Sequence, residues 1–309
     1  MRMNKSLTSR FIWLLLAGAA SSVSAQIVPP STEVQETLSR VDFEKKMEAQ
    51  REVSVFAAAA PQCFTAGSPA GSANDPQGLT FFKVCITDRG NVSHLESPAG
   101  KIHIEGREGY LVCMDQTVPI GFDAGIAQNG WFSTTVSQPS GPGKLPLIVT
   151  RISSDGRVEL TQTFTLVPSD NAVQIKMAVR NLLVVPLQII DVYRYFDGDI
   201  DHSASDDRYD RSGDAVWAIN PIEADGPDSD GLMLTQAPST STPVGSVANI
   251  LRFREWNPLD TAGTQLARKC ANASHNGPFS EDAVGILILR LGSLKPSETK
   301  AVTVRYRRF

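Results

Sequence analysis

The densest group of carboxylates in the 309-residue chain directly follows an apolar, β-rich run at 184–196. It contains Asp197, Asp199, Asp201, Asp207 and Asp210. Hard oxygen donors at alternate positions of an irregular loop can converge on one Ca²⁺ ion, which takes about six to eight oxygen ligands. This pattern indicates either a calcium site built from these five residues or a solvated acidic loop whose charge neighbouring arginines partly neutralise.

Paired acids offer a second kind of chemistry, because enzymes that process glycosides need two carboxyl groups at a suitable separation. Glu105 and Glu108 form one candidate pair, and Glu223 and Asp225 form another. Spacing along the chain does not decide between them or against them. A carbohydrate-active enzyme is therefore one hypothesis for the function of this protein.

Four further residues are candidates for ligand binding. Tyr193 and Arg194 lie at the end of the apolar run, while Trp131 and Trp217 lie in other predicted strands. A tryptophan ring can form a stacking platform for a sugar, although in a β-sandwich it more often belongs to the core. Both interpretations of the two tryptophans remain open.

Other common chemistries lack their signatures in this sequence. The four histidines are scattered and form neither an HExxH motif nor a close pair, which disfavours a transition-metal site. The chain also has no GxSxG nucleophile elbow, no phosphate-binding glycine loop and no dinucleotide fingerprint.

The first 25 residues have the pattern of a secretory signal peptide. A basic leader precedes a short apolar core, and Ala25 ends a small-residue cleavage site. The alternative is an uncleaved membrane anchor, but about ten strongly apolar residues fall short of the ~20 needed to span a bilayer. Cleavage would change the net charge from −4 to −7, which disfavours nucleic acid as a partner. We expect a secreted or periplasmic protein with no membrane span after cleavage.

The four cysteines are an even number in a chain directed to an oxidising compartment. Two disulfides are the natural expectation, and three pairings are possible. Cys63 with Cys85 is slightly preferred because the two are near in sequence. A free buried thiol remains the alternative for any of them.

Apolar residues recur at helical spacing only in the segment 31–53, which predicts a short amphipathic helix. Beyond residue 61 the pattern is of short strands separated by turn residues, which predicts an all-β fold, a large antiparallel β-sandwich with an N-terminal helical arm. The expected organisation is a signal peptide (1–25), a helical arm or linker (26–60) and a β-sandwich domain (61–309). The predicted strands are 79–87, 101–105, 110–114, 131–136, 147–153, 158–166, 172–180, 189–196, 215–219, 249–253, 284–291 and 301–307.

The succession VELTQTFTLVPSDNAVQIKMAVRNLLVVPLQIIDVYRYFDG at 158–198 resembles the central region of galactose-mutarotase-like β-sandwich proteins. The segments GNVSHLESPAG and LGSLKPSETKAVTVRY resemble the opening and closing strands of that superfamily. In its sugar epimerases a histidine acts as general acid just before a Tyr-Phe pair. This chain has the pair Tyr195-Phe196 but carries Tyr193 at the histidine position, so the resemblance implies the fold without the epimerase chemistry.

Together these observations predict an exported β-sandwich protein with a non-catalytic binding or structural role, carbohydrate-binding and stabilised by Ca²⁺. The alternative is a carbohydrate-active enzyme that uses a carboxylate pair. The expected partner is a glycan or an extracellular protein, and a surface or assembly subunit is a third interpretation.

Overall fold

The computed structural model describes residues 60–105, 107–125, 128–198, 207–219, 231–237, 245–252, 270, 279–280 and 283–309. The predicted signal peptide and the predicted helix at 31–53 lie outside these residues. No helix in the described ranges is long and apolar enough to cross a membrane.

The described residues form nineteen β-strands and one 3₁₀ turn at Pro168–Asp170. The strands are β1 (Gln62–Ala66), β2 (Phe82–Ile86), β3 (Val92–Glu96), β4 (Ile102–Glu105), β5 (Glu108–Met114), β6 (Val118–Asp123), β7 (Gln128–Asn129), β8 (Trp131–Ser137), β9 (Leu147–Ser153), β10 (Val158–Val167), β11 (Ala172–Asn181), β12 (Leu187–Phe196), β13 (Arg208–Ser212), β14 (Ala215–Ile219), β15 (Gly231–Gln236), β16 (Gly245–Arg252), β17 (Phe279–Ser280), β18 (Ala283–Leu294) and β19 (Thr299–Arg308).

These strands form three sheets, and neighbouring strands within each sheet are antiparallel. A four-stranded sheet has the order β1-β2-β3-β4, and a six-stranded sheet has the order β16-β18-β12-β5-β6-β7. A nine-stranded sheet has the order β17-β13-β14-β15-β19-β11-β10-β9-β8. The prediction of an all-β antiparallel sandwich is confirmed.

Alternation of side chains explains why β10 forms one layer of this sandwich. Val158, Leu160 and Phe164 are fully buried, whereas the threonines between them are partly exposed. Successive side chains of a strand point to opposite faces, so this pattern buries one face of the sheet and leaves the other in water. The turn before β10 contains Gly156 at φ +72°, a left-handed conformation that glycine adopts without steric cost.

The central strands of the six-stranded sheet are buried on both faces, as their apolar sequences predict. β18 lies between β16 and β12, and β12 lies between β18 and β5. The inner face of this sheet packs against the other two sheets in one continuous hydrophobic core. Its outer face, which points away from the nine-stranded sheet, carries a separate buried cluster.

One disulfide joins two neighbouring strands, and the other fixes a distant segment of the chain to a strand. Cys63 and Cys85 lie directly opposite each other on β1 and β2, so the slightly preferred pairing is confirmed. Cys113 of β5 is bonded to Cys270, which is 157 residues away in sequence. Cys270 is itself buried in the outer cluster of the six-stranded sheet, so the chain passes over that face at this point.

Candidate functional site

The strand register decides which side chains share the outer face of the six-stranded sheet. Directly opposite residues of antiparallel strands point to the same face. Along β12, Asp191 and Tyr193 point outward, while the residues between and beside them point into the inner core. Arg290 of β18 is opposite Asp191, and Ile288 of β18 is opposite Tyr193. The β12 strand therefore presents a carboxylate and a phenol to the same surface.

Asp191 and Arg290 form an ion pair on this face. Arg290 donates from Nε to Oδ1 of Asp191 at 3.1 Å. The Asp191 side chain is 1% exposed and that of Arg290 is 48% exposed, so the pair connects the buried part of the face to solvent. The second oxygen of Asp191, Oδ2, accepts no hydrogen bond from the described residues.

Tyr193 lies beside this pair and is almost fully buried. Burial and, to a smaller extent, the negative charge of Asp191 raise the pKa of its hydroxyl to about 12, against the lowering effect of the positive charge of Arg290. Within the described chain this hydroxyl makes no hydrogen bond. A buried hydroxyl without a partner costs about 1–3 kcal/mol, so its retention needs an explanation.

A third polar group on the same face has the same property. Asn249 of β16 is opposite Ile286 of β18, which places its side chain on the outer face, two strands or about 10 Å from β12. The Asn249 side chain is buried, and its Oδ1 atom has no hydrogen-bond partner in the described ranges. Three buried oxygen atoms on one face of this sheet therefore have no hydrogen-bond partner among the residues that the structure describes.

Apolar and aromatic side chains surround these polar groups. The outer cluster consists of Leu111, Cys113, Phe122, Ala124, Tyr193, Tyr195, Leu251, Cys270, Val284, Ile286 and Ile288. Val247 of β16 lies in the same cross-strand row as Tyr193 but is 51% exposed. The outer face thus has a solvent-facing rim at Val247 and Arg290 and a buried polar end at Asp191 and Tyr193.

A second polar group lies between the sheets rather than on a surface. Glu108 and Arg194 form a fully buried ion pair. Oε1 of Glu108 accepts a hydrogen bond from the Tyr306 hydroxyl at 2.7 Å, and Oε2 accepts one from the backbone amide of Val92 at 2.7 Å. Burial raises the pKa of Glu108 to about 7, against the opposing effects of Arg194 and these donors. The carboxylate of Glu108 thus accepts from Val92 of the four-stranded sheet and Tyr306 of the nine-stranded sheet, while its ion-pair partner Arg194 belongs to the six-stranded sheet. The ion pair and its donors therefore join all three sheets.

A neighbouring buried pair completes this inter-sheet network. Arg151 of β9 donates to Asp123 of β6 at 2.6 Å and to the hydroxyl of Tyr110 at 2.9 Å. The other oxygen of Asp123 accepts from the side-chain amide of Asn91 at 2.6 Å. Breaking a buried ion pair by removing one partner typically costs about 3–5 kcal/mol, because it leaves an uncompensated charge in the core. These contacts are those of a structural network.

The acidic segment is only partly described. Asp197 is buried and forms an ion pair with Arg107 at 3.1 Å. Asp207 is also buried, and Asp210 lies on β13, where its Oδ1 accepts from the backbone amide of Arg211. Asp199 and Asp201 lie outside the described residues. In the described ranges no group of three or more histidine, cysteine or acidic side chains could hold a metal, and the calcium site remains a prediction.

The four predicted ligand-binding residues lie on three different surfaces. Tyr193 lies on the outer face described above, whereas Arg194, the next residue, is in the inter-sheet ion pair. Trp131 packs against the inner core, with the Arg151 guanidinium 5.5 Å from its ring centroid. Trp217 points away from the core on the nine-stranded sheet, since its neighbours Val216 and Ala218 are the buried residues of β14. The structure does not bring these four side chains together.

The two predicted carboxylate pairs have different outcomes. Glu105 is exposed on β4, while Glu108 is fully buried between the sheets, so these two acids do not face a common surface. Glu223 and Asp225 lie outside the described residues.

Sequence reasoning did not select Asp191, Arg290 or Asn249. A usable signal is present, because Asp191 is the one acidic residue of β12 and Arg290 is the one charged residue of β18. They are 99 residues apart, so the pairing of β12 with β18 had to be known before they could be joined.

Solved structures match the chain only at low identity and with low TM-scores. No protein-family model matches the chain, and no curated protein matches it. Among solved structures, a bacterial glucoamylase complexed with acarbose is 10% identical with a TM-score of 0.49, and heparan sulfate lyase HepC from Pedobacter heparinus, as a mutant, is 8% identical with a TM-score of 0.41. Each match covers 82% of this chain, which spans about a third of the length of those proteins (34% and 37%).

A galactose mutarotase related enzyme from Lactobacillus acidophilus is also similar, at 9% identity with a TM-score of 0.33, over 80% of this chain and 97% of that enzyme. At these identities and TM-scores the matches carry no conclusion about activity. The chain is an all-β antiparallel sandwich with two disulfides.

Proposed function

We propose that the protein is an exported, non-catalytic β-sandwich that binds carbohydrate on the outer face of its six-stranded sheet. The observation that carries this proposal is the group of three buried oxygen atoms without partners in the described chain. They belong to Asp191, Tyr193 and Asn249, on one face of one sheet. A ligand that hydrogen-bonds to them would recover the free energy that their burial costs.

Sugars fit the chemistry of this face. Asp191 Oδ2 and Asn249 Oδ1 are acceptors, and the Tyr193 hydroxyl both donates and accepts. Sugar hydroxyl groups supply the matching donors and acceptors at close spacing. The surrounding apolar and aromatic side chains, with exposed Val247 at the rim, offer contact to the C–H surfaces of a sugar ring. A purely apolar ligand would leave all three oxygen atoms unpaired.

A binding role is favoured over a catalytic one at this face. The pKa of Tyr193 is raised to about 12, so the phenol stays protonated at neutral pH and is a poor general base. Asp191 is held by Arg290 through a hydrogen bond from Nε. The alternative is a glycoside-processing enzyme that uses a carboxylate pair; Glu223 and Asp225 remain one candidate pair among the acids of the chain, whereas Glu105 and Glu108 do not share a surface.

Two further parts of the proposal rest on the sequence. The signal-peptide pattern of residues 1–25 supports export, and the two disulfides fit an oxidising compartment. The alternating carboxylates from Asp197 to Asp210 support stabilisation by Ca²⁺.

Binding of the leader-cleaved protein to a panel of soluble neutral and acidic polysaccharides, by affinity electrophoresis and then titration calorimetry, tests the function. Tyr193→Phe removes only the hydroxyl and should weaken binding about fivefold, as expected for the loss of one hydrogen bond. The matched control is Trp217→Ala on the nine-stranded sheet, which should bind as wild type does. If the protein binds no glycan, or if only the Trp217→Ala control binds more weakly, the outer face is not a carbohydrate-binding site.

A further inference from the structure

We infer that the outer face selects sugars that carry a carboxylate, and that Arg290 is the residue that recognises this group. The inference rests on the proposed carbohydrate-binding function and names its substrate class. It follows from how Arg290 is held and from what surrounds its guanidinium.

The guanidinium of Arg290 is held through one of its nitrogen atoms. Nε donates to Asp191 at 3.1 Å, and the described residues contain no other hydrogen bond or ion pair of Arg290. Nε is one corner of the planar group, so the two terminal nitrogens remain available as donors. Two parallel N–H groups match the two oxygens of a carboxylate, which is why arginine binds carboxylates with two hydrogen bonds.

The strand register leaves the guanidinium accessible. On β16, the residue opposite Arg290 is Gly245, and a glycine presents no side chain that could cover its neighbour. On the other side, Asp191 holds the base of the guanidinium in place. The Arg290 side chain is accordingly half exposed, although β18 is a central strand.

The two parts of the face complement each other for one ligand. Tyr193 is diagonal to Arg290 across the β12–β18 pair, a spacing of about 7–8 Å that long side chains bridge. The effect of Arg290 on the pKa of Tyr193 agrees with this proximity. A sugar acid could place its carboxylate on the exposed guanidinium and a ring hydroxyl on the buried phenol and on Asp191 Oδ2.

Overall charge does not account for such a preference. The net charge is −4 for the whole chain and −7 without residues 1–25, so long-range electrostatics disfavour polyanions. A preference for an acidic glycan would therefore come from a local contact and would depend on Arg290.

The test compares two ligands that differ only in the charged group, an oligogalacturonate and its fully methyl-esterified form, by titration calorimetry. Wild type should bind the free acid at least about tenfold more tightly than the ester, because the ester loses the charge-assisted pair. Arg290→Gln should bind both forms with similar affinity, and Arg290→Lys should keep part of the preference because lysine keeps the charge without the planar fork.

Removal of Arg290 leaves Asp191 uncompensated, so the double variant Asp191→Asn with Arg290→Gln provides a neutral pair if the single variant fails to fold. The comparison on wild type needs no variant. Equal affinity for both forms, or tighter binding of the ester or of neutral glycans, would overturn the inference and leave the proposed function intact. Binding of no glycan at all would overturn both.

Discussion

Phenylalanine at position 193 should leave the protein as stable as wild type or more stable, although the residue is almost fully buried. The Tyr193 hydroxyl has no hydrogen-bond partner in the described structure, so its removal loses no contact and relieves a desolvated polar group. Relief of that group should raise the free energy of unfolding by up to about 1 kcal/mol. The stability of the unliganded protein would then be increased by a change that weakens binding.

Tyr195, two residues along the same strand, provides the matched comparison. Its hydroxyl donates to the backbone carbonyl of Asp123 at 2.8 Å. Tyr195→Phe removes the same atom from a fully buried ring and should lower the free energy of unfolding by about 1–2 kcal/mol, because the hydrogen bond is lost. The two variants should therefore differ by about 2 kcal/mol, or about 4–8 °C in melting temperature for a domain of this size.

Urea denaturation followed by tryptophan fluorescence, with calorimetric melting as a second measurement, would give both differences. The slope with denaturant should be unchanged in both variants, since the folds are the same. If Tyr193→Phe is destabilised as much as Tyr195→Phe, the hydroxyl of Tyr193 has a partner in the folded protein. The case for a ligand at this face would then lose its central observation.

Three further predictions concern other parts of the molecule. Burial raises the pKa of Glu108 from 4.5 to about 7, so the stability contributed by its protonated carboxyl group is lost as the pH rises through 7. Relative to Glu108→Gln, wild type should lose about 3 kcal/mol of its free energy of unfolding between pH 5 and 8. A difference between the two proteins that does not change with pH would contradict this. Urea denaturation should show that replacing Cys113 and Cys270 by alanine lowers the free energy of unfolding by about 5 kcal/mol, and that replacing Cys63 and Cys85 lowers it by about 3 kcal/mol. The first disulfide should contribute more because 157 residues separate its cysteines, against 22 for the second. The reverse order would exclude loop entropy as the main cause. Calcium should raise the melting temperature of the protein relative to that measured with a chelator, and an unchanged melting temperature would contradict stabilisation by calcium.

The strands could be predicted where alternation was strong. The sequence pattern places a strand at Leu147–Ser153 and another at Ala215–Ile219, and both have these bounds in the structure. Short strands with mixed composition, such as Gln62–Ala66 and Arg208–Ser212, are not predicted, because tertiary pairing rather than local pattern keeps them extended.

The candidate site could be predicted only in part. Tyr193 is a candidate from the sequence because it lies at the end of the apolar run, and it lies on the outer face. Arg194 was selected with it, but adjacent residues of a strand point to opposite faces, and Arg194 lies in the inter-sheet network. The residues that accompany Tyr193 come from strands far away in sequence, so local spacing could not join them.

The position of β19 has a consequence for the order in which the protein can assemble. The strand at Thr299–Arg308 lies inside the nine-stranded sheet, between β15 and β11. Tyr306 of this strand also reaches the buried carboxylate of Glu108, 198 residues earlier. Until these residues leave the ribosome, β11 and β15 each present an unpaired edge. The nine-stranded sheet can therefore be completed only after β19 has been synthesised, and truncation before 299 would divide this sheet.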